Sequence, residues 1–258
     1  MQIEDHTKEA EILHQMKSVV ISRGEGQRSG KETLIHEHFM EVRVNGCILA
    51  RLSVTADHLK ELVIGRLRTE GLISGADDVE KLFICGQGNL AEVTLKEDIS
   101  LEPYRGVEPS CCTGNIQLLS PAGAVEISEL PKVKPDESVV FSLAESFVRD
   151  SALHLKTGGT HSCYLYLPEG GIACYEDISR HNALDKAVGR ILLDGADPLK
   201  CVLYTTGRVP ADMARKALIA GVPVLVSKSV PTDAAVELAN KYNLNLICRA
   251  WPDSFTVY

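Results

Sequence analysis

EDISRHNALDKAVGR, at residues 176–190, is the stretch whose pattern decides the fold. Apolar residues recur at helical spacing and predict a helix with one buried face: Leu184, Ala187, Val188, Ile191 and Leu192. The same spacing leaves Asp185, Lys186 and Arg190 off that face. A strand-like run precedes the helix at residues 172–175, so the sequence predicts a junction between a strand and a helix N-terminus.

This junction places Arg180, His181 and Asn182 around the free backbone N–H groups of a helix N-terminus. Such N–H groups with a guanidinium nearby suit an anion such as a phosphate. A second interpretation is equally open. In it, Asp177 or Ser179 caps the helix, while Arg180 and His181 are solvated or bridge to a neighbouring residue.

The composition favours an ordinary globular protein and excludes a general attraction to polyanions. The 258 residues are 45% hydrophobic and 24% charged, and 35 acidic against 27 basic residues give a formal charge of −8. We therefore expect neither nucleic acid nor an anionic membrane as a partner, and any phosphate-bearing ligand needs a local site. The sequence shows no apolar run of about 18 residues, and its N-terminus is charged, so we expect a cytoplasmic protein.

Cysteine usage indicates reduced thiols. Six cysteines lie within apolar runs and are expected in the core: Cys47, Cys85, Cys163, Cys174, Cys201 and Cys248. Only Cys111 and Cys112 lie in a polar, turn-rich context. An exposed thiolate can accept a sulfur atom as a persulfide and hand it on. The alternative is that this pair is an incidental exposed thiol.

Changes of pattern along the chain predict three parts. Residues 1–31 end in a polar, Gly-rich run and are expected to form a flexible segment. Residues 32–132 form a β-rich subdomain with the cysteine loop, and Asn45-Gly46 marks a hairpin in it. Residues 133–258 alternate strands and helices, which predicts a three-layer, mainly parallel or mixed α/β sheet. One helix is expected to begin at a Thr55 cap and to end at Gly71. A second helix is expected to begin at Asp136 and to run to about residue 155.

Ligands of open α/β sheets collect beyond the carboxyl ends of the strands. Three polar clusters are expected there, at residues 205–208, 227–229 and 249–253. They supply hydroxyl groups, a glycine and cations, as a phosphate site requires, and Trp251 can stack on a flat heterocycle. Ordinary polar loops are the alternative. No zinc site is expected, because Cys111 and Cys112 are adjacent and no His-x-Glu accompanies them.

Several of these blocks resemble the FdhD family of formate dehydrogenase accessory sulfurtransferases. The resemblance runs from about residue 33 to 258 and includes EDISRHNALDK, Thr-Gly-Gly-Thr-His at 157–161, the Val-Asn-Gly hairpin and Thr-Gly-Arg at 206–208. It implies a cytidine deaminase-like fold without the zinc motif. It also implies that sulfur passes from a cysteine desulfurase to the molybdenum bis-guanine-dinucleotide cofactor before insertion into formate dehydrogenase. A homodimer is expected by the same analogy.

The resemblance also suggests functional residues. Cys111 is expected to carry the persulfide, with Cys112 as the second catalytic thiol. The residues expected to bind the cofactor are His161, Arg180, His181, Asn182, Lys186, Gly207, Arg208, Arg249, Ala250, Trp251, Pro252, Asp253 and Ser254.

Two positions depart from the family pattern. Gly114 stands where members have the second cysteine of Cys-x-x-Cys, and Asp253 follows Pro252 where members have Gly-Arg. A second hypothesis is therefore a non-catalytic protein that binds the cofactor or docks on a dehydrogenase, with Cys111 incidental.

Overall fold

The computed structural model describes residues 1–8, 11–104, 115–123 and 125–258. The first part contains β1 (Gln2–Asp5), β2 (Leu13–Ser22), β3 (Gly26–Ile35), β4 (His38–Val44), β5 (Cys47–Val54), α1 (Leu59–Thr69), β6 (Val79–Ile84), β7 (Leu90–Leu95), β8 (Leu101–Pro103), β9 (Ile116–Gln117) and β10 (Leu119–Pro121). The second part contains α2 (Glu137–Asp150), α3 (Ala152–Thr157), β11 (His161–Leu167), β12 (Gly171–Asp177), α4 (Arg180–Leu193), β13 (Val202–Thr205), α5 (Ala211–Ala220), β14 (Val224–Ser227), α6 (Asp233–Lys241), β15 (Asn245–Trp251) and β16 (Ser254–Val257). No helix in these described ranges is long and apolar enough to cross a membrane.

The first sheet has the strand order β1-β6-β7-β4-β5-β9 and packs against α1. Asn45 and Gly46 have φ angles of 47° and 80°, so the predicted hairpin turn between β4 and β5 is confirmed. The predicted Thr55 cap is wrong. His58 occupies the N-cap position of α1, in the left-handed conformation and without a side-chain cap, because Thr55 is held by the second sheet instead: its N–H donates to Asp177.

The second sheet is mixed, with the strand order β12-β11-β13-β14-β15-β16. Only β13–β14 and β14–β15 are parallel pairs, and the other three neighbouring pairs are antiparallel. The mixed alternative of the predicted sheet is therefore confirmed, and the mainly parallel alternative is wrong. Short turns join β11 to β12 and β15 to β16, and such turns can connect only antiparallel strands. Helices α5 and α6 connect the parallel neighbours β13, β14 and β15, and α4 connects β12 to β13 across β11.

Helices cover both faces of the second sheet, as strand alternation requires. Cys163, Leu165 and Leu203 face one core, which α4, α5 and α6 complete. Tyr164 and Tyr204 face the opposite core with α2. The predicted helix from Asp136 is confirmed with its cap, since the Asp136 carboxylate accepts from the Ser138 N–H, but Ser151 has a non-helical backbone and divides it into α2 and α3.

The N-terminal residues form regular structure, so the expectation of a flexible segment over residues 1–31 is wrong. Strand β1 pairs in parallel with β6 at the edge of the first sheet. Strands β2 and β3 pair with each other over ten residues. Their polar, Gly-rich sequence reflects exposure to solvent, while the pairing of the two strands satisfies their backbone N–H and C=O groups.

Helices α1 and α4 cross in backbone contact, and this crossing joins the two parts of the chain. A Cβ atom placed on Gly65 would lie 1.7 Å from the carbonyl oxygen of Asp185. One placed on Gly189 would lie 1.9 Å from the carbonyl oxygen of Glu61. Only glycine permits this approach at either position.

We expect Gly65→Ala to lower the free energy of unfolding by about 3 kcal/mol, because the added methyl group forces the two helices apart. Urea denaturation measures the change. Gly75→Ala is the matched control, since a Cβ at Gly75 meets nothing within 4 Å and its φ of −155° suits alanine. A Gly65→Ala protein within about 0.5 kcal/mol of the wild type would contradict this account of the crossing.

Candidate functional site

The N-terminus of α4 has no side-chain cap in the described structure. Ser179 occupies the N-cap position without a cap hydrogen bond from its side chain. The Asp177 carboxylate accepts from the Ser179 N–H at 3.0 Å and from the Asn182 amide at 2.9 Å. The interpretation in which Asp177 or Ser179 caps the helix is therefore wrong. Asp177 holds the strand-to-helix junction itself.

His181 bridges two helix N-termini. Its ring is only 1% exposed, and its Nε2 lies 2.9 Å from a carboxylate oxygen of Asp212, in the first turn of α5. Burial acts to raise the pKa of Asp212, but the hydrogen bond and charge of His181, with the Met213 N–H and the charge of Arg180, together outweigh burial and lower the pKa. The alternative in which His181 bridges to a neighbour is thus confirmed. A cavity of about 80 Å³ lies beside the pair and is lined also by Tyr104, Arg215 and Lys216.

Arg180 packs over the backbone of Gly207. A Cβ atom on Gly207 would lie 2.7 Å from Cδ of Arg180, so the glycine makes room for the Arg180 side chain. The Ser227 hydroxyl donates to the Gly207 carbonyl at 2.7 Å, which fixes the ends of β13 and β14 together. The structure therefore brings Arg180 and Gly207 together, as the family resemblance implied, at the carboxyl edge of the sheet. Arg208 follows on the exposed side of this loop.

The pKa of His161 reflects the positive charge at this edge. Burial, followed by the positive charges of Arg180 and Lys228 and the ring of His154, lowers the pKa of His161 to about 4. A second positive charge on the imidazole is disfavoured where cationic groups already converge. An anion at this edge would relieve that repulsion. The sequence indicated Lys228 only as part of the polar cluster at residues 227–229.

An aromatic border continues from Lys228. Its Nζ lies 4.5 Å from the ring centroid of Phe147, whose ring contacts the half-exposed Trp251 edge-on at 6.0 Å. Trp251 and the exposed Arg249 can therefore meet a ligand. Ala250 cannot, because it is fully buried and its carbonyl accepts from Tyr204 at 3.0 Å.

The turn after Trp251 differs from the expected strand-end loop. Strand β15 continues through residues 249–251 with an irregularity after Cys248, and Arg249 has a φ of 51°. Pro252 and Asp253 form the exposed turn to Ser254, at the start of β16. The hydroxyl of Ser254 bonds to the Asp253 carboxylate at 3.4 Å. This turn places an acid beside the cationic edge.

Lys186 and Asn182 lie in the interior and have structural roles, in contrast to the ligand contacts expected for them. The Lys186 ammonium contacts the carboxylates of Asp177 at 2.9 Å and Asp57 at 2.5 Å, and donates to the carbonyl of Thr55. Burial acts to lower the pKa of Lys186, but the two carboxylates raise it above its ordinary value. Both residues therefore tie the first sheet to the second.

Cys111 and Cys112 lie outside the described residues, and the segment that contains them ends at Asn115. The Asn115 amide donates to Asn182 at 2.9 Å, and its oxygen accepts from the Ser53 N–H at 2.8 Å. This anchor joins the cysteine segment to the first turn of α4. Sequence reasoning missed both Asn115 and Asp212, and the position of Asn115 at the end of the irregular segment was the only available signal.

The other cysteines confirm the expectation of core thiols only in part. Cys163, Cys201 and Cys248 are buried, and burial raises the pKa of each thiol. Cys47 is exposed, so its expected core position is wrong. It follows the hairpin turn directly, where its side chain points away from the sheet interior. Within the described ranges, no group of three or more metal-binding side chains is present.

These features define a mixed α/β protein with a cationic, aromatic-bordered edge suited to an anionic ligand. The model of the FdhD/NarQ family matches residues 35–258, and the chain belongs to that family. A Streptomyces avermitilis protein named "Sulfur carrier protein FdhD" is 31% identical over 245 residues, covering 88% of this chain and 87% of that protein. A Bacillus pumilus protein of the same name is 30% identical over 257 residues, covering 97% and 95%.

A solved structure supports the fold. The crystal structure assigned to a formate dehydrogenase accessory protein from Desulfotalea psychrophila has a TM-score of 0.74 to this chain. The two are 24% identical, and the match covers 96% of this chain and 97% of the other. This likeness shows the arrangement of strands and helices that the two chains share.

We expect millimolar pyrophosphate to raise the pKa of His161 from about 4 by at least about one unit, because a bound anion offsets the charges of Arg180 and Lys228. The pKa of His161 is measured from its imidazole NMR signals during a pH titration. His6, which follows β1 at the edge of the first sheet, is the internal control. Without an anion, the folded pKa lies below the ordinary 6.5, so the unfolded chain takes up the proton first. The stability that the neutral ring contributes is therefore complete above pH 6.5 and is lost as the pH falls through 4. An unchanged His161 titration would contradict anion binding at this edge.

Proposed function

We propose that this protein is a sulfurtransferase that carries sulfur as a persulfide on Cys111, from a cysteine desulfurase to the molybdenum bis-guanine-dinucleotide cofactor of formate dehydrogenase. The names of the relatives support sulfur carriage. The observation that carries the proposal is the anchoring of the cysteine segment at Asn115, against the same helix turn that supplies Arg180 and His181.

The sulfur step needs only a thiolate and a persulfide donor. The Cys111 thiolate attacks the outer sulfur of the desulfurase persulfide, a new S–S bond forms, and the old S–S bond breaks. The donor cysteine leaves as a thiolate, and the proton stays on the outer sulfur. Electrons balance in this loading step without an external oxidant or reductant. Release of the sulfur as sulfide to the cofactor needs two electrons, which a second thiol supplies when it attacks the inner sulfur and forms a disulfide.

The charge of the edge and its exposed aromatic ring suit the carried cofactor. Its diphosphate groups match the cations that lower the pKa of His161, namely Arg180 and Lys228. A guanine can stack on the exposed face of Trp251. We assign Arg249 and Arg208 to the rim of this site, because both are exposed. The Asp253 carboxylate opposes phosphate binding on its own side of the turn.

Three further expectations belong to this proposal. Helices on both faces of the second sheet support a cytidine deaminase-like layering. The soluble composition and the cofactor pathway support a cytoplasmic location. We also propose a homodimer as the working assembly.

We expect Cys111→Ser to reduce formate dehydrogenase activity to background in a host strain that lacks its own family member, since no other group in the proposal forms the persulfide. Cell extracts assayed for formate oxidation provide the measurement. Cys47→Ser is the matched control, because Cys47 is exposed and lies on the β4–β5 hairpin. Full activity with both Cys111 and Cys112 replaced by serine would favour the non-catalytic, cofactor-binding hypothesis.

A further inference from the structure

A cavity of about 320 Å³, the β1–α1 pocket, opens between the N-terminal strand and the start of α1. Its lining includes Asp5 and Thr7, at the end of β1 and just after it, together with His58, Lys60 and Glu61. This volume lies at the lower end of the range for ligand pockets, about 300–1,000 Å³. The pocket therefore has room for a small ligand or for one side chain of another protein.

Backbone hydrogen bonds hold the N-terminal wall of the pocket in place. Strand β1 pairs with β6, and beyond the strand the His6 N–H donates to the Ile84 carbonyl at 3.0 Å. The Asp5 carboxylate accepts from the N–H of Thr7 at 3.0 Å and from its hydroxyl at 2.6 Å. The pocket is thus formed before a ligand arrives, and its rim already carries an oriented acid.

Glu61 contributes a buried carboxylate to the same pocket. The residue is 4% exposed, and its Oε2 has no hydrogen-bond partner in the part of the chain that the structure describes. Glu61 lies in the first turn of α1, where the helix dipole favours an anion, yet within the described ranges no backbone N–H donates to this oxygen. Because a buried charge without a hydrogen bond is costly, Glu61 requires a donor from elsewhere.

The cations near Glu61 do not supply that donor. His58 Nδ1 lies 4.0 Å from Oε2, the outer limit of an ion pair, and the imidazole is charged only when it is protonated. The pKa of Arg190 is raised first by its hydrogen bond to Asp194, at 2.6 Å, and only to a smaller extent by Glu61. Lys60 is adjacent to Glu61 in α1, and neighbouring side chains of a helix do not face each other. A ligand in the pocket can supply the missing donor.

We propose that the β1–α1 pocket binds a guanidinium group, with Glu61 as the buried acceptor and Asp5 at the rim. Ionised carboxylates only accept hydrogen bonds, and a planar guanidinium presents paired N–H groups that match a carboxylate. A metal ion is a poorer occupant, because the described residues contain no group of three or more metal-binding side chains. The guanidinium belongs either to a small free compound or to an arginine side chain of another protein.

This site goes beyond the proposed sulfur transfer, since it shares no residue with the cationic edge. The family match begins at residue 35, so Asp5 and Thr7 lie outside the matched region, whereas Glu61 lies within it. Guanidinium binding can therefore fail while sulfur transfer holds, and the Cys111 variant tests sulfur transfer separately.

We expect ethylguanidinium to bind the full-length protein at least about tenfold more tightly than ethylurea, its uncharged analogue, because only the cation pairs with the Glu61 charge. Isothermal titration calorimetry gives both dissociation constants. The imidazole NMR signals of His58 should shift on binding, while those of His154, in α3, should not. Absence of binding, or equal binding of the two compounds, would overturn the proposal without any variant.

Glu61→Gln should weaken ethylguanidinium binding at least about tenfold, because it removes the charge and keeps the size of the side chain. Glu137→Gln is the matched control, since Glu137 is an exposed acid in the first turn of α2. An unpaired Glu61 also predicts that Glu61→Gln, without ligand, melts no lower than Glu137→Gln. A lower melting temperature with unchanged ligand binding would assign Glu61 to the stability of α1 and make the proposal wrong.

A third ligand identifies the source of the guanidinium. Acetylarginine methylamide carries the same group as an arginine within a polypeptide. Tighter binding of this compound than of ethylguanidinium would support the proposal with an arginine side chain as the occupant. The reverse order would support it with a small free guanidinium compound.

Discussion

The backbone contact between Gly65 and Gly189 is the constraint on which the rest of the structure depends. It brings α1 and α4 so close that charged side chains on both helices are enclosed. Asp185 is fully buried and accepts from Lys216 at 2.9 Å and from the hydroxyl of Thr69 at 2.7 Å. Removing only one member of such a buried pair lowers the free energy of unfolding by about 3–5 kcal/mol, because its partner is left unpaired in the interior.

This crossing also sets the direction of α4 and therefore the position of its first turn. With Lys186 held by Asp177 and Asp57, the N-terminus of α4 is fixed against both sheets. Arg180 then lies over Gly207 at the edge where the parallel strands end. Asn182, in the same first turn, holds Asn115, which follows the cysteine segment. The same helix thus connects structural stability, the cationic edge and the proposed sulfur-bearing loop.

Sequence patterns predicted the helix after the junction at residues 176–182 and the Asn45-Gly46 hairpin, because each depends on local spacing. The family resemblance, and not a local pattern, placed Arg180 and Gly207 in one site. Sequence patterns failed for Asp185 and Lys186, which helical spacing placed off the buried face. Their partners Lys216 and Asp57 come from distant parts of the chain, and no local pattern shows them. The polar N-terminal segment was misjudged for a related reason. A hairpin depends on backbone pairing, and its exposed side chains resemble those of a flexible tail. The sequence left the sheet open between mainly parallel and mixed, because helix–strand alternation does not reveal the direction of β11 and β12.

The most direct test of the account is peptide mass spectrometry after the protein is incubated with an active cysteine desulfurase and cysteine, followed by alkylation. The account predicts one added sulfur atom on the peptide that contains Cys111 and Cys112, and its loss when Cys111 is replaced by serine. Absence of sulfur on this peptide, under conditions in which another family member becomes persulfidated, would contradict the carrier function and leave a protein that only binds the cofactor.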